Sequence, residues 1–213
     1  MASVSDLQCA ATLHVARHGD AEYDVQGMIT DEGGWLSELG REQVRALAER
    51  LAADPAVAVG AVYSSTLERA VESGELAASV LGLENTVVAG LQEYSVGDLV
   101  GRRYSDPDVA VVFEAWLDGD LDASFPGAED GHQVLARVRA ALEEIVDANR
   151  GRHVLVFSHG GVMSLVLPRL AQNVRDDYAR KNFLPNAVPA VVRADADGWV
   201  VDSWPGTTDP RSV

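Results

Sequence analysis

Residues 153–161 read HVLVFSHGG, a continuous apolar run that stops at a polar turn containing two glycines. An unbroken run of this kind is typical of a strand that is covered on both faces, as the strands of a parallel sheet are. A helix is predicted to begin at Gly160. A buried strand that leads through a short turn into a helix indicates an α/β protein.

Further strands and helices alternate along the rest of the chain. Short apolar runs predict strands, and apolar residues at helical spacing predict helices. The segment DADG, residues 195–198, predicts the turn of a β-hairpin. The alternation predicts a mainly parallel sheet with helices on both faces. The predicted strands are 11–16, 58–63, 86–89, 187–193 and 199–204, and the predicted helices are 38–53, 67–81, 109–117 and 134–146.

Polar side chains follow three of the predicted strands. They are Arg17-His18, Ser64-Ser65 with Arg69 a turn later, and Ser158-His159. In open α/β sheets, ligands bind beyond the carboxyl ends of the strands. We therefore expect these side chains to meet at one edge of the sheet and to form the functional site there.

The length and the net charge limit what the chain can do. Its 213 residues suit one domain, so we predict a single domain over 1–213, with loose termini at about 1–10 and 205–213. The formal net charge of −16 argues against a nucleic-acid partner, because nucleic acids are bound by broad basic surfaces. A small anionic substrate is still compatible with this charge where a few arginines converge.

The cysteine count and the hydropathy narrow the classes further. Cys9 is the single cysteine, which excludes an intrachain disulfide and a thiolate metal cluster. No apolar run approaches the roughly 20 residues that a membrane helix needs. We expect a cytoplasmic protein without membrane association, and nothing in the sequence indicates its oligomeric state.

Four short motifs in a fixed order carry the functional signal. They are RHG at 17–19, YSSTLERA at 63–70, LQE at 91–93 followed by Gly97 and Gly101, and SHGG at 158–161. Each motif alone is weak, but the set resembles the histidine phosphatase superfamily, the phosphoglycerate-mutase-like proteins. The resemblance runs from Leu13 to about Val192. It implies the mainly parallel α/β fold that the periodicity also predicts.

The resemblance implies a nucleophile and a phosphate clamp. His18 matches the histidine that becomes phosphohistidine, and a neutral imidazole is a competent nucleophile near pH 7. Its other ring nitrogen is expected to donate to a backbone carbonyl. Arg17 and Arg69 match the arginines that bind the phosphate, since a guanidinium fork fits phosphate oxygens.

The resemblance also assigns the remaining catalytic groups. His159 matches the second histidine, which stabilises the transferring phosphoryl group. Gly160, at the start of a helix, would add backbone donors for the phosphate. Glu93 matches the proton donor to the leaving alkoxide and could then act as base toward water. Neither a metal ion nor a cofactor is implied.

Several positions depart from the common pattern and bear on the substrate. Asp24 stands where many relatives have Asn, near the phosphate, so its carboxylate would repel the substrate unless it meets a positive group. Ala21 replaces a Ser or Thr, Leu99 and Val100 replace a Trp-Glu pair, and Asp130 stands where Ser is common. The arm over the pocket, roughly 101–131, is expected to determine which substrate binds. Its candidate lining residues are Arg102, Arg103, Phe113 and Trp116. The alternative is that these four side chains lie in the core or at the surface.

The sequence favours a metal-independent phosphatase that acts on a small phosphorylated metabolite. A mutase would use the same groups, but the 66 positions from Glu93 to His159 are typical of the shorter phosphatases. A protein phosphohistidine phosphatase is a second alternative, although such relatives generally lack an acid equivalent to Glu93. A phosphate-binding protein without activity is the alternative from outside the enzymes.

Overall fold

The structure, a computed structural model, describes residues 9–103 and 105–206. The predicted loose termini therefore lie largely outside the described residues. The strands are β1 (Ala11–Arg17), β2 (Ala21–Glu22), β3 (Trp35–Leu36), β4 (Val59–Ser64), β5 (Asn85–Val87), β6 (His153–Ser158), β7 (Ala190–Asp195) and β8 (Gly198–Ser203). The helices are α1 (Glu38–Ala53), α2 (Glu68–Leu81), α3 (Pro107–Leu117), α4 (Gly131–Ala148) and α5 (Gly160–Leu170).

The central sheet has six strands in the order β5-β4-β6-β1-β7-β8. Strands β5, β4, β6 and β1 run parallel, whereas β7 and β8 form the predicted hairpin and pair antiparallel at the β1 side. The prediction of a mainly parallel sheet is confirmed. Arg17 pairs with Ser158 and Ser64 with Phe157, so the carboxyl ends of β1, β4 and β6 lie at one edge.

Helices cover both faces of the sheet because successive side chains of a strand point to opposite sides. Val154 and Val156 of β6 belong to a buried cluster that also contains the apolar faces of α4 and α5. Leu155 and Phe157 belong to a second cluster, which contains the apolar faces of α1 and α2. The four side chains are fully buried, as the unbroken apolar run predicted.

Two helices begin earlier than the hydrophobic pattern predicted, because polar residues cap them. Asp106 accepts a hydrogen bond from the backbone N–H of Asp108 at the start of α3. Asp130 and Gln133 form a capping box at the start of α4. Aspartate and serine cap helices about equally well. The replacement of the common Ser by Asp130 is thus explained by a shared capping role.

A small two-stranded sheet, β2 with β3, was not predicted from the sequence. It closes the loop that follows β1 and holds residues 23–34 beside the carboxyl edge of the central sheet. Each of its strands has only two residues, which is too short to leave a period-2 pattern. None of the helices in the described part of the chain is long and apolar enough to cross a membrane.

Candidate active site

A cavity of about 330 Å³ opens at the carboxyl edge of the sheet. Five residues predicted for the site line it, and His159 lies fully buried next to it, with its ring centroid 5.3 Å from that of His18. The structure therefore brings the predicted catalytic residues together from four separate segments. The lining residues are Arg17, His18, Tyr23, Ile29, Thr30, Asp31, Arg69, Glu93, Tyr94, Val96, Val109, Phe113, Gly160, Gly161 and Phe183.

His18 is held so that one ring nitrogen, Nε2, keeps its lone pair. Its Nδ1 donates to the carbonyl oxygen of Gly19 at 2.7 Å, as expected from the sequence, so the lone pair is on Nε2. That Nε2 accepts a hydrogen bond from Nε of Arg69 at 3.2 Å. Burial, followed by the charges of Arg69 and Arg17, lowers the pKa of His18 from 6.5 to about 3. The imidazole is therefore neutral near pH 7.

Gly19 is needed because the loop after His18 packs directly against the backbone of α1. A Cβ at Gly19 would lie 2.5 Å from the carbonyl oxygen of Gly40, and a Cβ at Gly40 would lie 2.0 Å from that of Asp20. Neither backbone can yield easily. This close approach fixes the carbonyl that orients the His18 ring.

Arg17 and Arg69 present guanidinium groups to the cavity. Arg69 is 4% exposed, donates to the carbonyl oxygen of Gly33 at 2.8 Å, and lies over the ring of Tyr23. Arg17 lies over the ring of Phe183, and its buried Nε has no hydrogen-bond partner within the described part of the protein. Buried donors of this kind normally have a partner, and an anion between the two guanidinium groups would supply one.

His159 precedes α5 and is held by a serine. Its Nε2 lies 2.6 Å from Oγ of Ser65, while its buried Nδ1 has no partner among residues 9–103 and 105–206. Burial, with the nearby Arg69, His18 and Arg17 as further causes, lowers the pKa of His159 well below 6.5. The ring is therefore neutral near pH 7, with its Nε2 engaged by Ser65.

Glu93 lies against the first turn of α5. Its carboxylate accepts hydrogen bonds from the backbone N–H groups of Gly161 at 2.9 Å and Val162 at 2.8 Å, and from its neighbour Tyr94 at 3.2 Å. The N-terminus of a helix stabilises a carboxylate placed there. A Cβ at Gly161 would lie 2.8 Å from the Glu93 carboxylate and 2.4 Å from the Tyr94 ring, so only glycine fits.

The structure places Asp24 outside the cavity that contains His18. Its side chain is exposed and lines an adjacent cavity of about 270 Å³, which shares Tyr23, Ile29 and Thr30 with the first. The side chain at the cavity wall is thus that of Tyr23. The sequence hypothesis that Asp24 lies near the phosphate receives no support from this placement.

The arm contributes apolar residues to the site rather than arginines. Phe113 lines the cavity and stacks on Tyr94, and Trp116 is buried behind them with its edge toward Tyr94. Arg102 is exposed and forms ion pairs with two aspartates of its own segment. Arg103 lines a separate surface cavity.

One carboxylate in the cavity was not predicted from the sequence. Asp31 accepts hydrogen bonds from the hydroxyl of Ser95 and from the backbone N–H of Val96 at 3.0 Å, and it lines the cavity. No motif marks it, because its position depends on the loop between β2 and β3. Phe183, 49% exposed at the cavity, likewise carries no sequence signal.

The cavity presents the guanidinium groups of Arg17 and Arg69 beside the imidazole of His18, an arrangement that suits an anion. Within the described residues, no three histidine, cysteine, aspartate or glutamate side chains are placed to share a metal ion. The chemistry that this donor set favours is the binding of a phosphate beside a neutral, partly desolvated imidazole.

Known proteins that are similar to this chain are named as phosphatases or as phosphoglycerate-mutase-like proteins. The chain is 30% identical to phosphoglycerate mutase-like protein 4 of Arabidopsis thaliana, with 91% of this chain and 84% of that protein covered. It is also 30% identical to the metal-independent phosphoserine phosphatase of the same plant, with 93% and 83% covered. A mycobacterial glucosyl-3-phosphoglycerate phosphatase matches in structure with a TM-score of 0.77 and 26% identity, over 93% of this chain and all of the other. The family model of the histidine phosphatase superfamily (branch 1) matches residues 13–207, and the chain belongs to that superfamily.

Proposed function

We propose that this chain is a metal-independent phosphatase that hydrolyses small phosphate monoesters through a phosphohistidine on Nε2 of His18. The observation that carries the proposal is the state of His18. Its Nδ1 proton is bound to the Gly19 carbonyl, its Nε2 lone pair lies in the cavity, and its pKa is lowered to about 3. A neutral nucleophile between two guanidinium groups suits attack on a phosphate ester.

In the first step, the Nε–H of Arg69 moves its hydrogen bond from Nε2 of His18 to a phosphoryl oxygen, Nε2 attacks phosphorus, and the bond from phosphorus to the ester oxygen breaks. Arg17 and Arg69 bind the phosphoryl oxygens, each charge-assisted hydrogen bond contributing roughly 1.5–3 kcal/mol. Glu93 enters this step as the carboxylic acid and gives its proton to the leaving oxygen, and the second step restores that proton from water. The positive charge that develops on the His18 ring is stabilised by the Nδ1–H bond to Gly19.

In the second step, water attacks the phosphorus of phosphohistidine and the phosphorus–nitrogen bond breaks. Glu93, now a carboxylate, accepts the proton of the attacking water. His18 returns to its neutral form and inorganic phosphate leaves. The backbone N–H groups of Gly161 and Val162 hold the Glu93 carboxylate in one orientation for both proton transfers.

The cavity supports a small substrate. Its volume of about 330 Å³ suits a metabolite, and its wall beyond the arginines contains the rings of Tyr94, Phe113 and Phe183 together with the carboxylate of Asp31. The relatives named as phosphatases of phosphoserine and of glucosyl-3-phosphoglycerate also point to small phosphate monoesters. The proposal includes a cytoplasmic location and no nucleic-acid partner, in keeping with the net charge of −16.

A panel of phosphorylated metabolites tests the proposal by the release of inorganic phosphate in excess EDTA. The wild-type protein is expected to release phosphate from at least one ester, and His18→Ala from none. Acid-labile, base-stable phosphate trapped by a quench is expected on His18. Conversion of 3-phosphoglycerate to 2-phosphoglycerate without net phosphate release would identify a mutase, and cleavage of phosphohistidine protein alone would identify the other alternative.

A further inference from the structure

Ser65 lies behind the catalytic groups and contacts one of them. It follows β4, is fully buried, and has its Oγ 2.6 Å from Nε2 of His159. The same oxygen accepts a hydrogen bond from the backbone N–H of Leu67 at 3.3 Å. Neither Ser65 nor His159 lines the cavity that contains His18, and the candidate catalytic group that the Ser65 side chain contacts is His159.

The hydrogen-bond count decides which atom donates. If Nε2 of His159 donated, Ser65 Oγ would accept two N–H groups, its own proton would have no acceptor among the described residues, and the Nδ1 lone pair would also be unpaired. If Ser65 donates to Nε2, the single unpaired group is Nδ1–H. Since each buried unpaired polar group costs about 1–3 kcal/mol, the second arrangement is favoured.

His159 does not itself line the cavity, but its ring centroid lies 5.3 Å from that of His18, which does. The charges of Arg69 and Arg17 act on the His159 ring, and both arginines line the cavity and bind phosphate in the proposed function. A phosphoryl oxygen between the two arginines would accept the Nδ1 proton of His159. In the other tautomer, a ring lone pair would face the oxygen and repel it.

We propose that Ser65 is a positioning residue that fixes His159 as the Nδ1–H tautomer, so that a neutral histidine donates to the transferring phosphoryl group. The inference rests on the proposed function for its catalytic consequence. Its structural part, the choice of tautomer, is independent of any reaction.

Ser64 supplies a matched control. It is the neighbouring serine and is equally buried. Although the sequence analysis expected it at the site, it does not line the cavity that contains His18, and its Oγ accepts a hydrogen bond from the side chain of Asn85 at 2.9 Å. Ser64→Ala and Ser65→Ala each remove one buried hydroxyl with one side-chain partner. Only the second change removes the partner of His159.

The first measurement is the ¹⁵N spectrum of the His159 ring in protein labelled at histidine, assigned with a His159→Asn variant. We expect an unprotonated Nε2 and a protonated Nδ1 in the wild type and in Ser64→Ala. In Ser65→Ala we expect a protonated Nε2 to appear. An unchanged His159 spectrum in Ser65→Ala would overturn the inference, whether or not the protein is a phosphatase.

The second measurement is kcat/KM for 4-nitrophenyl phosphate. Losing a preorganised donor costs up to about 10²–10³ in rate, so we expect Ser65→Ala to lose about 10- to 100-fold and Ser64→Ala to stay within about threefold. In a His159→Asn background, Ser65→Ala is expected to add almost no further loss, because the two residues act as a unit. Additive losses, or equal losses in the two serine variants, would contradict the inference.

Folding is checked by the thermal midpoint of each variant. If Ser65→Ala does not fold, Ser65→Cys, whose thiol is a weak donor, takes its place with the same expected directions. A wild-type protein that releases no phosphate from any ester would refute the proposed function. The spectrum of His159 would still decide the role of Ser65.

Discussion

Nε of Arg69 lies 3.2 Å from Nε2 of His18 and donates a hydrogen bond to it. The same guanidinium group donates to the carbonyl oxygen of Gly33 and lies over the Tyr23 ring, so three contacts fix its orientation. Arg69 therefore adds to the burial that keeps His18 neutral, and its guanidinium group is fixed at the cavity in which the proposed phosphate binds.

Arg69→Lys is expected to lower kcat/KM for phosphate esters by about 10²-fold or more. Lysine keeps the charge but loses the planar fork that contacts His18, Gly33 and a phosphate together. The matched control is Arg102→Lys, which changes an exposed arginine outside the cavity and is expected to leave kcat/KM unchanged. Full activity in Arg69→Lys would show that the guanidinium group of Arg69 is not needed to bind the phosphate.

The sequence predicted that the candidate site residues would lie together, because each follows a strand or belongs to a short motif. Parallel strands bring their carboxyl ends to one edge of the sheet, so Arg17 and His159 were expected to lie close together. The leaving-group side of the cavity was not predictable in the same way. Asp31 is placed by Ser95 and Val96, more than 60 residues away in the chain, and no period or motif encodes those contacts.

Loop geometry also explains the difference at position 24. The family resemblance implied that Asp24 lies near the phosphate, but the β2–β3 loop presents the neighbouring Tyr23 to both cavities and leaves Asp24 exposed. A shift of one residue along an irregular loop changes which side chain faces the site. In strands and helices, the regular backbone hydrogen bonds fix which side chain faces the site, so such shifts do not occur.

Stability is expected to fall in mild acid partly because of His14. This side chain is 4% exposed, its Nε2 lies 3.0 Å from Nδ1 of His153, and burial, followed by the neighbouring His153, lowers its pKa to about 4. Above pH 6.5 both the folded and unfolded states have a neutral His14. Between pH 6.5 and 4 only the unfolded state binds the proton, so the free energy of unfolding falls as the pH falls, by up to about 3 kcal/mol.

Urea midpoints between pH 7.5 and 5 measure this effect. We expect His14→Gln to make the fall shallower than in the wild type. His132→Gln is the control, because the His132 side chain is 61% exposed and its replacement leaves the buried contact between His14 and His153 intact. Identical slopes in all three proteins would show that His14 does not contribute.

Asp24→Asn is expected to change KM for 4-nitrophenyl phosphate by less than about twofold. The carboxylate is exposed and lines the second cavity, where water screens its charge from a phosphate at His18. Asp31→Asn is the matched change within the His18 cavity and is expected to alter KM more. A fall of KM by more than about fivefold in Asp24→Asn would place its carboxylate beside the phosphate after all.

Glu93 is tested through the leaving group. An alkyl phosphate expels a strongly basic alkoxide, so protonation by Glu93 is expected to contribute about 10²–10⁴ in rate, whereas nitrophenolate leaves without a proton. Glu93→Gln should therefore slow the phosphorylation step far more for alkyl esters than for 4-nitrophenyl phosphate. Burst kinetics isolate that step, because Glu93 also serves dephosphorylation in the proposed mechanism and would limit steady-state turnover of both substrates.

The quantity to compare is the ratio of the burst-phase rates for the alkyl ester and 4-nitrophenyl phosphate. Both carboxylate oxygens of Glu93 accept backbone N–H groups of α5, and an amide offers only one acceptor, so Glu93→Gln also disturbs the pocket. That disturbance affects both esters alike and cancels in the ratio. The exposed Glu32→Gln, outside the His18 cavity, controls for a general effect of losing a carboxylate. Equal burst-phase losses on both esters would show that Glu93 shapes the pocket without donating the proton.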